Sequence, residues 1–170
     1  MDMSQVIQTD SESCQSLVRH PQSDERFEVW EWFPGSHRAL HSRVDFTKGE
    51  TLVHFVAAAR LTEPRGLSIQ ASRSEHILLE PSFLQLTNHG CEPNVFFDVT
   101  IGELKALEHI FAGEEIVYFY PSTEWAMAQP FQCQCDSAQC LGKIQGAKFV
   151  SKSVLHRYLL APHIEALLVG

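Results

Sequence analysis

The chain has 170 residues, 44% hydrophobic and 20% charged, the balance of a folded globular domain rather than of a disordered or fibrous chain. Thirteen Lys+Arg against 21 Asp+Glu give a formal charge of -8, which argues against the broad basic footprint by which proteins hold nucleic acid. Such a field serves solubility, or draws in a basic substrate such as a lysine-rich tail.

Residues Met1 to about Ser23 are rich in Ser, Gln and Asp and poor in aromatics, and read as a flexible N-terminal arm over 1–23. Phe27, Val29, Trp30, Trp32 and Phe33 then form a β-prone run ended by Pro34-Gly35. Ala39–Val44 and Thr51–Val56 read as two strands joined by the turn Thr47-Lys48-Gly49-Glu50. Leu67–Ala71 and His76–Leu79 are short strands, and Pro81–Leu84 opens a helical turn. Val95–Val99 and Leu104–Leu107 flank Gly102 as a hairpin, and Glu115–Tyr120 is a strongly apolar strand. Ser151–Tyr158 and Ala161–Leu168 have helical apolar spacing, with Ser151 as a cap and Pro162 in a first turn. Their apolar faces are expected to pack on the β domain. Many short strands with no room for crossover helices predict a mostly β fold of small sheets with short helices. Neither a dinucleotide-binding glycine fingerprint nor a P-loop is present.

No run approaches the ~18 apolar residues that span a bilayer, so no membrane is expected. The polar, acidic first residues lack the features of a secretory signal, so the expected location is the cytoplasm, or the nucleus if the source is eukaryotic. Five cysteines in that reducing setting read first as metal ligands, reactive thiols or buried residues. Cys133, Cys135 and Cys140 form C-x-C-x4-C in a stretch too polar to build a core. Zinc takes four ligands, with thiolates preferred in structural sites. The fourth comes from Cys14, Cys91 or one of nine histidines. Cys14 lies in the arm; Cys91 lies in the compact segment Asn88-His89-Gly90-Cys91-Glu92-Pro93-Asn94 and is the choice.

That segment resembles the N-H-S-C-x-P-N signature of SET-domain lysine methyltransferases. Gly113-Glu114-Glu115-Ile116-Val117-Tyr118-Phe119-Tyr120 resembles their G-E-E-L-T-F-D-Y signature, the three clustered cysteines their post-SET motif, and Thr47-Lys48-Gly49-Glu50 the turn after their first strands. The motifs occur in the family's order over about residues 26–146. The resemblance implies a SET domain over 24–121, a post-SET zinc segment over 122–146 and a helical extension over 147–170. It implies a β-clip-type fold with a knot-like active site, resembling the minimal bacterial and viral members, which can dimerise. It implies S-adenosylmethionine as cofactor and a lysine side-chain amine of a protein or peptide as substrate. Asn88 and His89 would hold the cofactor, Tyr120 would line the lysine channel, and Tyr118 would restrict the product to mono- or dimethyllysine. Cys91, Cys133, Cys135 and Cys140 would hold structural zinc.

Three positions depart from the family. Arg38 and Ala39, within His37-Arg38-Ala39, stand where it has the G-x-G beside the cofactor, so that loop is reshaped, with Pro34-Gly35-Ser36 as a candidate, or binding is weak. Gly90 replaces Ser, and Phe119 replaces Asp. Two other readings stay open: a SET fold that lost its cofactor and serves as a binding module, and a methyltransferase acting on a small amine, which the short stretch between Leu61 and Ser82 would suit.

Overall fold

The structure, a computed structural model, describes residues 15–18, 24–32 and 37–170. Cys14, most of the expected arm and the Pro34-Gly35-Ser36 segment lie outside these residues. One part of the arm is corrected. Gln15–Val18 form β1, paired antiparallel with β2 (Phe27–Trp32), because the open edge of that strand accepts another strand.

The fold is mostly β, in small sheets with few and short helices, as the pattern of short apolar runs predicts. β1, β2 and β3 (His37–Ser42) form one antiparallel sheet, in which Phe27, Val29 and Leu40 turn inward and are buried. β5 (Val56–Leu61), β7 (Glu75–Glu80) and β6 (Ile69–Ser72) form a second, with β7 central. A third sheet has the order β4-β10-β9-β11-β8. Its members are β4 (Thr51–His54), β8 (Asn88–His89), β9 (Val95–Asp98), β10 (Glu103–Ala106) and β11 (Val117–Tyr118). β10 shows the alternation of a sheet with one wet face: Leu104 and Ala106 are buried, while Lys105 reaches Glu103 at 3.1 Å and Asp98 at 3.4 Å on the outer face. The β9–β10 hairpin turns at Gly102, whose φ is +69°; a Cβ there would lie 2.4 Å from the Phe55 carbonyl oxygen, so only glycine fits.

The expected strand Glu115–Tyr120 is much shorter than its apolar run. Only Val117 and Tyr118 are paired as strand, and Tyr120–Ser122 continue as a 3-10 turn. The chain leaves the sheet at Phe119, which is buried in a second apolar cluster with Phe96, Leu155, Leu160, Ala161 and Ile164. The first C-terminal helix is also shorter than its periodicity predicts: α1 spans Lys152–Leu155, with Ser151 Oγ accepting from the Val154 N–H at 3.4 Å. It ends early because Tyr158 is drawn away to stack on Phe119, ring centroids 3.7 Å apart. α2 spans Pro162–Val169, with its proline in the first turn. Among the described residues no helix is long and apolar enough to cross a membrane.

The C-terminal helices are therefore part of the core. Truncating fully buried Ile164 to alanine should cost about 2–4 kcal/mol of stability. Urea unfolding followed by circular dichroism measures this, and an unchanged midpoint would mean that these helices are an appendage.

Candidate active site

The site is built where two segments interlock. β11 pairs in parallel with β8 on one side, Val117 opposite Asn88 and Tyr118 opposite His89, and with β9 on the other, Tyr118 opposite Val95. The loop from β8 to β9 thus has one limb on each side of β11. The Gly90 N–H donates to the Tyr118 carbonyl at 3.0 Å, and the Asn94 N–H to that of Val117 at 3.1 Å. The buried Asn94 side chain completes the join: its Nδ2 donates to the Glu115 carbonyl (2.8 Å) and its Oδ1 accepts from the Val117 N–H (2.9 Å). Gly90 is required by this closeness, since a Cβ would lie 2.9 Å from Val117 Cγ2 and 3.1 Å from Val117 Cβ. The space that a serine would need is filled by the stiff, branched Val117.

The interlock gathers four predicted residues around one cavity of about 870 Å³: Asn88, His89, Tyr118 and Tyr120 all line it. The size is that of a small-molecule site. Asn88 Nδ2 donates to the Arg38 carbonyl and to Glu115 Oε1, each at 2.9 Å, which leaves Oδ1 as its acceptor. The Tyr120 hydroxyl donates to the Thr87 carbonyl at 3.2 Å, and its ring lies 4.6 Å from that of Tyr118. Burial first, and neighbouring negative groups second, push both phenols well above their usual range, so both stay neutral.

His89 is held neutral, its pKa pushed down to about 4 by burial. Nδ1 accepts the Tyr120 N–H at 3.2 Å, so the proton is on Nε2, which sits 3.3 Å from Cys91 Sγ and donates to it. The imidazole thereby ties the strand carrying the tyrosines to the cysteine cluster.

The remaining predicted residues are placed differently. His37 lines the cavity, whereas Arg38 reaches the site through its carbonyl to Asn88, and the Ala39 methyl is fully buried in the sheet. Of the acidic residues in or near the motifs, Glu92 and Glu115 line the cavity; Asp98 pairs with Lys105, and Glu114 accepts the Phe111 N–H. Two residues in the site have no role in the motif reading. Asn94 joins the segments, and Glu124 is a buried carboxyl in the cavity wall. One signal for Glu124 was its spacing: it is four residues beyond Tyr120, and its N–H donates to the Tyr120 carbonyl at 2.9 Å.

The sulfurs of Cys91, Cys133, Cys135 and Cys140 all lie within 4.8 Å of one another, and those of Cys91 and Cys133 are 4.0 Å apart. Thiolates at ~2.3 Å in a tetrahedron stand about 3.8 Å from each other, so donor type, count and spacing fit zinc. The hairpin of β12 (Phe131–Gln132) and β13 (Lys143–Ile144) frames the cluster. The Leu141 N–H donates to Cys91 Sγ and the Gly142 N–H to Cys140 Sγ, both at 3.4 Å, the partners that thiolates need. Burial raises Cys91 and Cys133 above the usual thiol range, and their neighbours' negative charge adds to this, so full ionisation of the group calls for a cation.

No protein-family model matches the chain. Over 91 residues it is 45% identical to a protein of Aspergillus flavus named methyltransferase flvH, a match covering 52% of this chain and 51% of that protein. The chain spans about half the length of this curated relative.

Freshly purified protein should carry close to one zinc per chain by plasma mass spectrometry. Cys91→Ser should weaken retention against a chelator by at least tenfold. A metal-free preparation, or a Cys91→Ser variant that holds zinc like the parent, would contradict the four-cysteine site.

Proposed function

We propose that this chain is an S-adenosylmethionine-dependent methyltransferase of the SET class whose acceptor is the side-chain amine of lysine in a protein or peptide. The observation that carries the reading is the interlock of residues 88–95 with 117–118, which brings Asn88, His89, Tyr118 and Tyr120 to one cavity beside a four-cysteine cluster. The similarity to a named methyltransferase over half the chain supports methyl transfer as the reaction.

The residues fit the cofactor. The cavity is large enough, Asn88 Oδ1 and the Glu115 carboxylate suit its ammonium group, and Arg65 in the same wall suits its carboxylate. When bound, S-adenosylmethionine supplies a methyl group activated by a sulfonium. The chain's own part is alignment and exclusion of water, which accounts for most of the rate in a reaction between two positioned groups. Tyr120, fixed by Thr87, holds one wall of the acceptor channel, and Tyr118, buried against Phe97, narrows its inner end. A neutral phenol oxygen there accepts from an amine N–H or weakly from a polarised methyl. Zinc would be held by the four cysteines, outside the chemistry, as a clamp on the loop that carries Asn88 and His89.

Calorimetric titration should find one S-adenosylmethionine site per chain. No binding at millimolar concentration would remove the enzyme reading and leave the binding module. A peptide array with labelled cofactor, run beside free amines, separates protein from small-molecule acceptors. Mass spectrometry of the product should show mono- and dimethyllysine, with Tyr118→Phe shifting it towards trimethyllysine. A dominant trimethyl product from the parent protein would contradict the role given to Tyr118.

A further inference from the structure

The cavity wall holds a carboxyl group that the motifs leave unused. Glu124 is only 6% exposed. Its Oε1 accepts the Gln70 N–H at 2.6 Å, and Gln70 Oε1 in turn accepts the Trp125 N–H at 2.9 Å, so β6 and the segment after Tyr120 fix it from both sides. Oε2 is 3.8 Å from Nδ1 of His76, which is itself 8% exposed and has no hydrogen-bond partner on that nitrogen. A buried carboxyl beside an unsatisfied imidazole nitrogen is costly for packing alone. Glu124 lines the same cavity as Tyr118 and Tyr120, with His76 behind it, and both tyrosines feel the carboxylate's charge.

We infer that Glu124 is the proton acceptor for the substrate amine: its carboxylate receives the alkylammonium group in the cavity and takes one proton from it. This rests on the proposed amine methylation, because an ammonium has no lone pair to accept a methyl group. At neutral pH only roughly one lysine amine in 2,500 is unprotonated in water. In a dry channel the pair of neutral groups, carboxylic acid and amine, avoids the desolvation of two charges, so the burial that favours protonated Glu124 also favours the neutral amine. The balance is one proton: ammonium and carboxylate become amine and carboxylic acid. The acid then passes its proton to His76 Nδ1, which gives that same proton up to water, so that carboxylate and neutral imidazole both return to their starting forms.

The groups facing Glu124 are His76 from β7, Tyr118 from β11 and Tyr120 beyond it; Glu63 and His163 act on it through His76. Burial pushes the Glu124 carboxyl up to about 7, and the Gln70 N–H pulls it partly back. The sign follows: below pH 7 the free enzyme holds Glu124 protonated and unable to accept, so kcat/KM falls tenfold per pH unit towards acid.

The test compares the full chain with Glu124→Gln, an isostere that still accepts the Gln70 N–H. One arm needs no turnover. n-Butylammonium chloride is titrated into protein labelled with carbon-13 at the glutamate carboxyls, at pH 7.5. The Glu124 resonance should move saturably in the parent, and Glu124→Gln should bind the amine at least tenfold more weakly. In the activity arm, Glu124→Gln should keep the parent's affinity for S-adenosylmethionine and lose about 100-fold in kcat/KM at pH 7.5. The loss should shrink towards pH 10, where much of the amine is already unprotonated in solution. A Glu124 resonance indifferent to the amine, or a variant with the parent's amine affinity or pH profile, would overturn the inference. A parent that binds the amine through Glu124 but transfers no methyl group would instead overturn the proposed function. The resonance shift in the unsubstituted protein decides the matter should the variant fail to fold.

Discussion

The side chain of Asn94 bonds the backbone on both sides of Ile116, giving to the Glu115 carbonyl and taking from the Val117 N–H. It does for the entry into β11 what a neighbouring strand does for a longer segment. A parallel pairing of two residues is weak alone, yet here it is backed on the other side by the pairing of Tyr118 with Val95. The buried amide removes the cost of leaving those backbone groups unpaired away from water. Every proposed role in the cavity depends on it, since a displaced β11 would carry Tyr118 and Tyr120 away from Asn88 and His89.

Two further ties hold this join from outside. The His89 imidazole spans Tyr120 and Cys91, so a metal-bound cluster and the tyrosine strand would set each other's position. From the C-terminal side the Tyr158 hydroxyl donates to the Cys91 carbonyl at 2.8 Å while its ring stacks on Phe119. The loop, the cysteines and the C-terminal helices thus converge on residues 89–91 and 119–120. This also explains why Phe119 stands where the SET signature it resembles has aspartate: the residue faces an apolar cluster built by the C-terminal extension, where an unpaired carboxylate would be costly.

Much of the architecture was legible, and for identifiable reasons. β10 and the hairpin at Gly102 follow from alternation and a glycine-only turn, and Ser151 and Pro162 mark their helix starts. Ligand counting picked Cys91, and the resemblance to the SET signatures implied that Asn88, His89, Tyr118 and Tyr120 share a site; the interlock brings these residues together. The run Glu115–Tyr120 misled because its apolar residues serve different partners: Ile116 and Tyr118 belong to the main core, Phe119 to the C-terminal cluster. Periodicity reads one face at a time and cannot divide a run between two cores. Glu124 escaped for a related reason. A glutamate reads as surface unless its partners are known, and those partners, Gln70 and His76, are more than forty residues away in the chain.

On the proposed function, residues 88–95, 115–120 and the cysteine hairpin form one unit that closes around a methyl donor. Amide hydrogen exchange read by mass spectrometry, with and without S-adenosylmethionine, tests it most directly. Protection should rise together in peptides covering 88–95, 115–120 and 131–142, and stay unchanged in α2. Exchange that the cofactor does not alter in these segments, or protection confined to another part of the chain, would mean that they do not close around it as a unit.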